Sequence, residues 1–266
     1  MNAAAMRTWR RFTFAQRLAR FAVYLALVAA VVFSAQTIEV IPEFLYDAPE
    51  QMQDLLKRMW PIAFDHYPNG VHDALMETLH IASLGTILAI LMALPVGLLA
   101  ARNVTPYPPL NYLAKLVLVS SRSVNSLVWA LLFVAVFGPG ALAGTLAIAF
   151  RSIGFVGKLL GEALEEANPG TIEALNAAGA PRASVLLKGY WPQVEPAFWS
   201  IALFRWDINV RESAVLGLVG AGGIGMALDT ALNLFQWNRV AMVLFAIFGV
   251  VILAEIAVTY IRNRII

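Results

Sequence analysis

Six apolar stretches punctuate the chain: residues 20–38, 74–101, 110–137, 140–160, 196 to about 220, and 240–261. Each is long enough to cross a hydrocarbon core of roughly 30 Å, which takes about 20 helical residues, so the pattern predicts six transmembrane helices. The second, third and fifth are the least clean; Lys115 and Arg122 interrupt the third, and Arg205, Asp207, Arg211 and Glu212 the fifth. Between the first and second stretches, residues 39–72 carry acidic side chains with Met52, Leu55, Leu56 and Met59 at helical spacing. That spacing predicts a short helix lying at the membrane interface. Between the fourth and fifth, Gly161–Gln193 forms a second polar island. Its Asn168-Pro169-Gly170 is strong turn chemistry; Thr171 or Gly170 is placed to cap a new helix, with Glu173 in its first turn at the positive end of the dipole.

Composition narrows the class. Of 266 residues, 60% are hydrophobic and 14% charged, against roughly 45–50% and about 25% in an ordinary soluble domain; with a mean hydropathy of +0.71 the chain reads as a polytopic membrane protein. The absence of cysteine excludes disulfides, thiolate metal sites and cysteine nucleophiles. Among the three histidines, His72 and His80 are eight apart, which does not form a two-histidine metal face. No metal site is expected.

The formal charge of +2 comes from 19 basic and 17 acidic residues. The basic ones concentrate in the short connecting segments, a pattern that does not indicate nucleic-acid binding. With the N-terminus placed in the cytoplasm, thirteen Lys and Arg fall on that side, Arg151 and Lys158 among them, against Lys57, Arg58, Arg239 and Arg211 on the other. The excess puts both termini inside. Ser34-Ala35-Gln36 offers small residues for signal cleavage, but the long basic region and long apolar run favour an uncleaved anchor.

Two segments carry the chemistry. In the polar island, Glu173-Ala174-Leu175-Asn176-Ala177-Ala178-Gly179 is followed nine residues later by Gly189-Tyr190-Trp191-Pro192. Its small residues present a face that a partner can approach closely, with Glu173 for pairing across a rim; an ordinary loop helix resting on headgroups is the plainer alternative. In the fifth stretch, Gly217, Gly220, Gly222, Gly223 and Gly225 crowd into nine residues. Such a segment cannot be a lipid-exposed helix, so it is buried in protein or lines water and serves as a flexible gate. Its GxGxxG spacing does not make a dinucleotide loop, because no strand precedes it. Charges inside a membrane cost roughly 2.5 to 3.5 kcal/mol on insertion scales and so face partners or water. Asp207 and Arg211 are four apart and can pair. Arg122, Ser123, Asn125, Arg211, Glu212 and Ser213 are the candidate translocation pathway, with structural pairing of the arginines to Glu212 as the alternative.

The Glu173-to-Pro192 segment resembles the cytoplasmic coupling loop of ABC-importer permeases: Glu173, Ala174, Gly179 and Pro192 fall in register, while Leu175, Gly189 and Trp191 depart from the usual Ala, Ile and Leu. The run from Arg205 to Gly225, with Trp129-Ala130-Leu131-Leu132-Phe133-Val134 and Gly138-Pro139-Gly140, looks like the PhnE-type phosphonate-importer permeases. The resemblance covers about 73–262. It implies an all-α, polytopic, six-helix type I ABC importer (MetI-like) permease fold. Residues 1–72 would supply a tail, an anchor helix and a periplasmic segment, and 73–266 the permease domain, with its coupling helix within about 165–192.

The same resemblance implies a homodimer working with two ATPase subunits that bind ATP and Mg, and with a periplasmic substrate-binding protein. The chain itself would be an inner-membrane subunit that holds no cofactor and catalyses nothing; it contains no Gly-x-x-x-x-Gly-Lys-Ser/Thr loop. Asn125 stands where related permeases carry a proline after Arg122, and keeps phosphonate, phosphite, hypophosphite and phosphate all open as cargo. An ion-coupled secondary transporter using Asp207 or Glu212, and a methionine-type importer, are the rival readings.

Overall fold

The computed structural model describes residues 12–38 and 41–265, and the chain divides into two compact units, 1–54 and 55–266. Arg7, Arg10, Arg11 and Glu39, which entered the reading of the tail and the acidic segment, lie outside the described residues. The first unit contains α1 (Phe14–Thr37) and most of α2 (Pro42–Met59). Thr13 and Gln16 start α1 as a reciprocal capping box. No side chain of α1 is buried, as befits an apolar helix whose solvent is lipid. The helix expected from Met52, Leu55, Leu56 and Met59 is α2.

In the second unit α3 (His72–Ala100) and α6 (Ala141–Glu165) form the central pair. Lipid tails give apolar helices no hydrophobic reason to associate, so close approach through small residues has to supply the attraction. Ala82, Gly85, Ala89, Ala93, Gly97 and Ala100 are buried along α3, and Gly144, Ala147, Gly154, Gly157 and Gly161 along α6. A Cβ added at Gly97 would lie 2.9 Å from the Gly157 carbonyl oxygen, a measure of how closely the backbones meet.

The third apolar stretch is not one straight span. It is α4 (Pro108–Ser123) and α5 (Ser126–Phe137), bent by 89°. Val124 and Asn125 are extended, and the Asn125 side chain accepts the Leu127 N–H at 3.2 Å to begin the new helix. An averaged hydropathy profile cannot register such a break, because both arms are apolar. The fifth stretch lies in one helix up to Leu216, and its break follows in the glycine segment. A short helical turn α8 (Arg182–Ser184) runs through a wide π turn, Val185–Tyr190, into α9 (Trp191–Leu216). After a glycine turn the chain re-enters α10 (Ile224–Asn233) at 41°. Finally α11 (Trp237–Ile265) packs on α9 and α10. Among the described residues four helices are long and apolar enough to cross a bilayer, and up to six spans result when each bent pair is one.

Candidate functional site

The polar island folds as α7 (Pro169–Ala177) followed by α8 and the π turn. Its cap is Asn168, not Thr171 or Gly170: Pro169 has no N–H to offer, so the Asn168 side chain takes the Gly170 N–H at 2.9 Å. With the start moved upstream, Glu173 lies beyond the first turn rather than in it. The far end closes at Gly179 with φ +75°. There the Gly179 N–H reaches the Asn176 carbonyl and the Ala180 N–H the Leu175 carbonyl, both at 3.0 Å, the paired bonds of a left-handed helix stop.

Ile172 and Leu175 turn inward onto Leu160, Leu164, Val185 and Tyr190. Gly189 admits this packing, since a Cβ there would be 3.1 Å from Leu175 Cδ1. Gln193 clasps both halves of the loop, accepting the Asn168 N–H at 2.9 Å and donating to the Gly189 carbonyl at 2.7 Å. Glu173, Ala174, Ala177, Ala178 and Gly179 are left exposed, as is Pro192 in the first turn of α9. Glu173, Ala174 and Gly179 thus share the α7 projection, while Pro192 belongs to the start of α9.

Among the charges of the fifth stretch Asp207 and Arg211 pair as expected, whereas Glu212 does not take Arg122 or Arg211 as its partner. Arg211 bonds Asp207, four residues back, and approaches Glu255 of α11 at 3.8 Å. Glu212 pairs with two other arginines, Arg205 and Arg151, each at 3.3 Å. Arg205, only 3% exposed, also donates through Nε to the Ser152 hydroxyl at 2.8 Å. Ser152 meets Asn209 at 3.2 Å, and Asn209 donates to the Thr86 hydroxyl at 2.7 Å. Arg151 is the eleventh residue of α6, about 15 Å from one end at 1.5 Å per residue. It is therefore inside a span and does not belong among the thirteen basic residues counted on the N-terminal side. Its charge is tolerated there because Glu212 answers it.

Arg122, Ser123 and Asn125 are exposed around the α4–α5 break. Arg122 lines a groove of about 250 Å³ between α4 and α6 with Lys115, Lys158, Glu162 and Glu165, in which Lys115 pairs with Glu165 and Lys158 with Glu162. The Asn125 carbonyl oxygen is engaged as a helix cap. Ser213 is buried and donates to the Val210 carbonyl at 2.9 Å. The pathway candidates therefore do not converge on one point: Arg122 and Asn125 belong to the break, Arg211 to the α9–α11 face, and Glu212 to the arginine network.

The glycine segment is buried in protein, as its composition requires. Gly220, Gly222 and Gly223 carry positive φ values of 82°, 83° and 73°, a conformation costly for any residue with a Cβ. The Gly220 carbonyl accepts from Gly140 N–H at 2.9 Å, and Ile224 N–H donates to the Thr78 hydroxyl at 2.7 Å. A Cβ at Gly225 would fall 2.3 Å from the Ala214 carbonyl oxygen, and one at Gly217 2.5 Å from Gly225 Cα. Close packing, rather than looseness, is what these two glycines provide.

A membrane bundle with small-residue packing, broken spans and a capped projecting loop is the architecture of a type I ABC importer permease. The inward-facing methionine ABC transporter MetNI shares this fold, with a TM-score of 0.65 and 22% identity over 74% of this chain and 96% of that one. The chain belongs to the binding-protein-dependent transport system inner membrane components, whose family model matches residues 93–266. It is 40% identical over 229 residues to the phosphate-import permease protein PhnE of Mycolicibacterium smegmatis, covering 85% of this chain and 43% of that protein. It is also 42% identical over 195 residues to the phosphite transport system permease protein PtxC of Stutzerimonas stutzeri, covering 73% and 70%. The chain thus spans less than half the length of the first relative and about two thirds of the second.

Proposed function

We propose that the chain is the permease subunit of an ATP-driven importer for a phosphorus oxyanion: phosphonate, phosphite, hypophosphite or phosphate. The observation that carries the energy-coupling half is the α7 projection. It is fixed by Asn168, Gly179 and Gln193 and by its own apolar underside, while Glu173, Ala174 and Gly179 are exposed. A rigid knob of this kind can seat in a partner and carry a push through the π turn, on which it packs, into α9.

Two such loops are needed to engage two ATPase subunits, so the working unit is a homodimer with two ATPases and a periplasmic binding protein. ATP and Mg are held by the ATPases, and the permease makes and breaks no covalent bond. Both termini lie in the cytoplasm; without Arg151 the basic residues still favour that side. The nature of the cargo is supported by relatives named for phosphate and phosphite import. The methionine transporter supports only the shared fold.

The test is reconstitution in vesicles with the ATPase and the binding protein. Phosphite uptake should require ATP and survive an uncoupler. Uptake that needs no ATP and collapses with the proton gradient would instead establish the ion-coupled rival. Glu173→Ala should lower ATP-driven uptake at least tenfold with the melting temperature of the chain unchanged. Because the chain has no cysteine, Ala174→Cys provides a single thiol whose cross-linking to the ATPase checks the docking directly.

A further inference from the structure

We propose that Arg151 is an anion-relay site within the membrane pathway, and that Glu212 is the internal counter-anion which an incoming oxyanion displaces from it. The proposal rests on the oxyanion-importer reading and adds the residue that handles the cargo.

The argument begins with an imbalance. One carboxylate neutralises one guanidinium, yet Glu212 is shared between Arg151 and Arg205, which leaves a surplus positive charge deep in a span. Burying unmatched charge in hydrocarbon is costly, and a purely structural ion pair would need only one arginine. The two arginines are also held unequally. Arg205 has a side chain 4% exposed, bonded to Ser152 and Glu212, with its guanidinium 5.5 Å from the centre of the Phe155 ring. It holds Glu212 in place. Arg151 has a side chain 29% exposed, meets Glu212 through Nε, and reaches the Val124 carbonyl only at 3.5 Å through Nη1. Its Nη2 has no partner among the described residues, and Val124 lies at the α4–α5 break.

The carboxylate oxygens are divided, Oε1 toward Arg151 and Oε2 toward Arg205. An oxyanion can therefore take the place of Oε1 on Arg151 while the Arg205–Glu212 pair stays intact. A carboxylate presents the same forked pair of oxygens as one edge of a tetrahedral phosphorus oxyanion, and a guanidinium reads both in the same way. Competition from Glu212 keeps the hold weak, as a pathway demands: cargo must bind well enough to enter and loosely enough to leave.

The experiment uses the assembled transporter in vesicles with phosphite as the probe. Arg151→Gln should raise the KM for phosphite uptake at least tenfold while the saturated rate stays within threefold. The thiol of Arg151→Cys should react with aminoethyl methanethiosulfonate, phosphite should slow that reaction at least fivefold, and the attached ammonium, a charge without the fork, should bring the KM down to that of Arg151→Lys. A lowered rate with unchanged KM, or a thiol whose labelling phosphite does not slow, would overturn the proposal and leave Arg151 a structural residue. Should Arg151→Gln fail to assemble, Arg151→Lys decides: it keeps the charge but loses the fork, so KM should rise at least threefold, and an unchanged KM overturns the site. Absence of phosphite uptake by the wild type would sink the importer reading instead; slowing of the Arg151→Cys labelling by inorganic phosphate would then still test the anion site by itself.

Discussion

The α7 loop and the arginine network are both polar islands in an apolar chain, and they satisfy their polar groups in opposite ways. The loop is assembled from neighbours in sequence: Asn168 caps it, Gly179 stops it, and Gln193 ties its ends. Its exposed face is set by bonds within residues 168–193. The network is assembled from α3, α6 and α9, through Thr86, Arg151, Ser152, Arg205, Asn209 and Glu212. Glu212 is the member both arginines share, so its loss unpairs two charges at once. A local device can therefore be altered cheaply, whereas a distributed one is most sensitive at the residue its members share.

The largest expected effect follows from that contrast. Glu212→Ala strands two guanidinium groups and should cost about 3 to 5 kcal/mol, read as a lowered melting temperature of the purified chain in detergent. An unchanged melt would mean that water already screens the network and that the contrast with the loop is false. Next, Gly225→Ala places a methyl 2.3 Å from the Ala214 carbonyl oxygen and should cost about 1 to 3 kcal/mol through overpacking. Fluorescence-detected size exclusion after graded heating would show it as an earlier loss of the monodisperse peak.

Smaller effects should be confined to the loop. Asn168→Ala should cost about 1 kcal/mol, visible as faster hydrogen exchange over residues 169–177 with the global melt unmoved. If the whole bundle loosens instead, the loop is not self-supporting. The smallest effect is that of Lys158→Ala, which removes an exposed i,i+4 pair to Glu162 at 3.1 Å. It should change stability by less than about 0.5 kcal/mol, and a loss above 1 kcal/mol would mean that the groove beside Arg122 is shielded from solvent.

What could be read in advance tracks the same division. The turn at Asn168-Pro169-Gly170 and the stop at Gly179 announce α7 because turn and cap preferences act over a few residues. The cap is Asn168 rather than Thr171 or Gly170 because Pro169 has no N–H and the cap serves the next one, which also puts Glu173 past the first turn. The Asp207–Arg211 pair was visible for the same reason. The Arg205–Glu212 pair was available too, since seven residues is two helical turns and places both on one face. Arg151 carries a signal of its own: a cation in the middle of an apolar stretch needs an anion nearby. Ser152, Asn209 and Thr86 carried none, as their polarity is ordinary and their meaning comes only from each other.

By itself the sequence determined that this is a helical membrane protein, where its apolar stretches lie, and where the polar island between the fourth and fifth turns and stops. Those properties depend on hydropathy and short-range backbone preference, which act along the chain. The tertiary structure alone decided that the third apolar stretch bends, that the glycine segment is a tightly packed turn, and that α6 and α9 pool their charges around Glu212 while Thr86 of α3 joins through Asn209. Those outcomes depend on which surfaces can approach within a few ångströms and on where a buried charge finds its counter-ion, and neither is a property of any one segment.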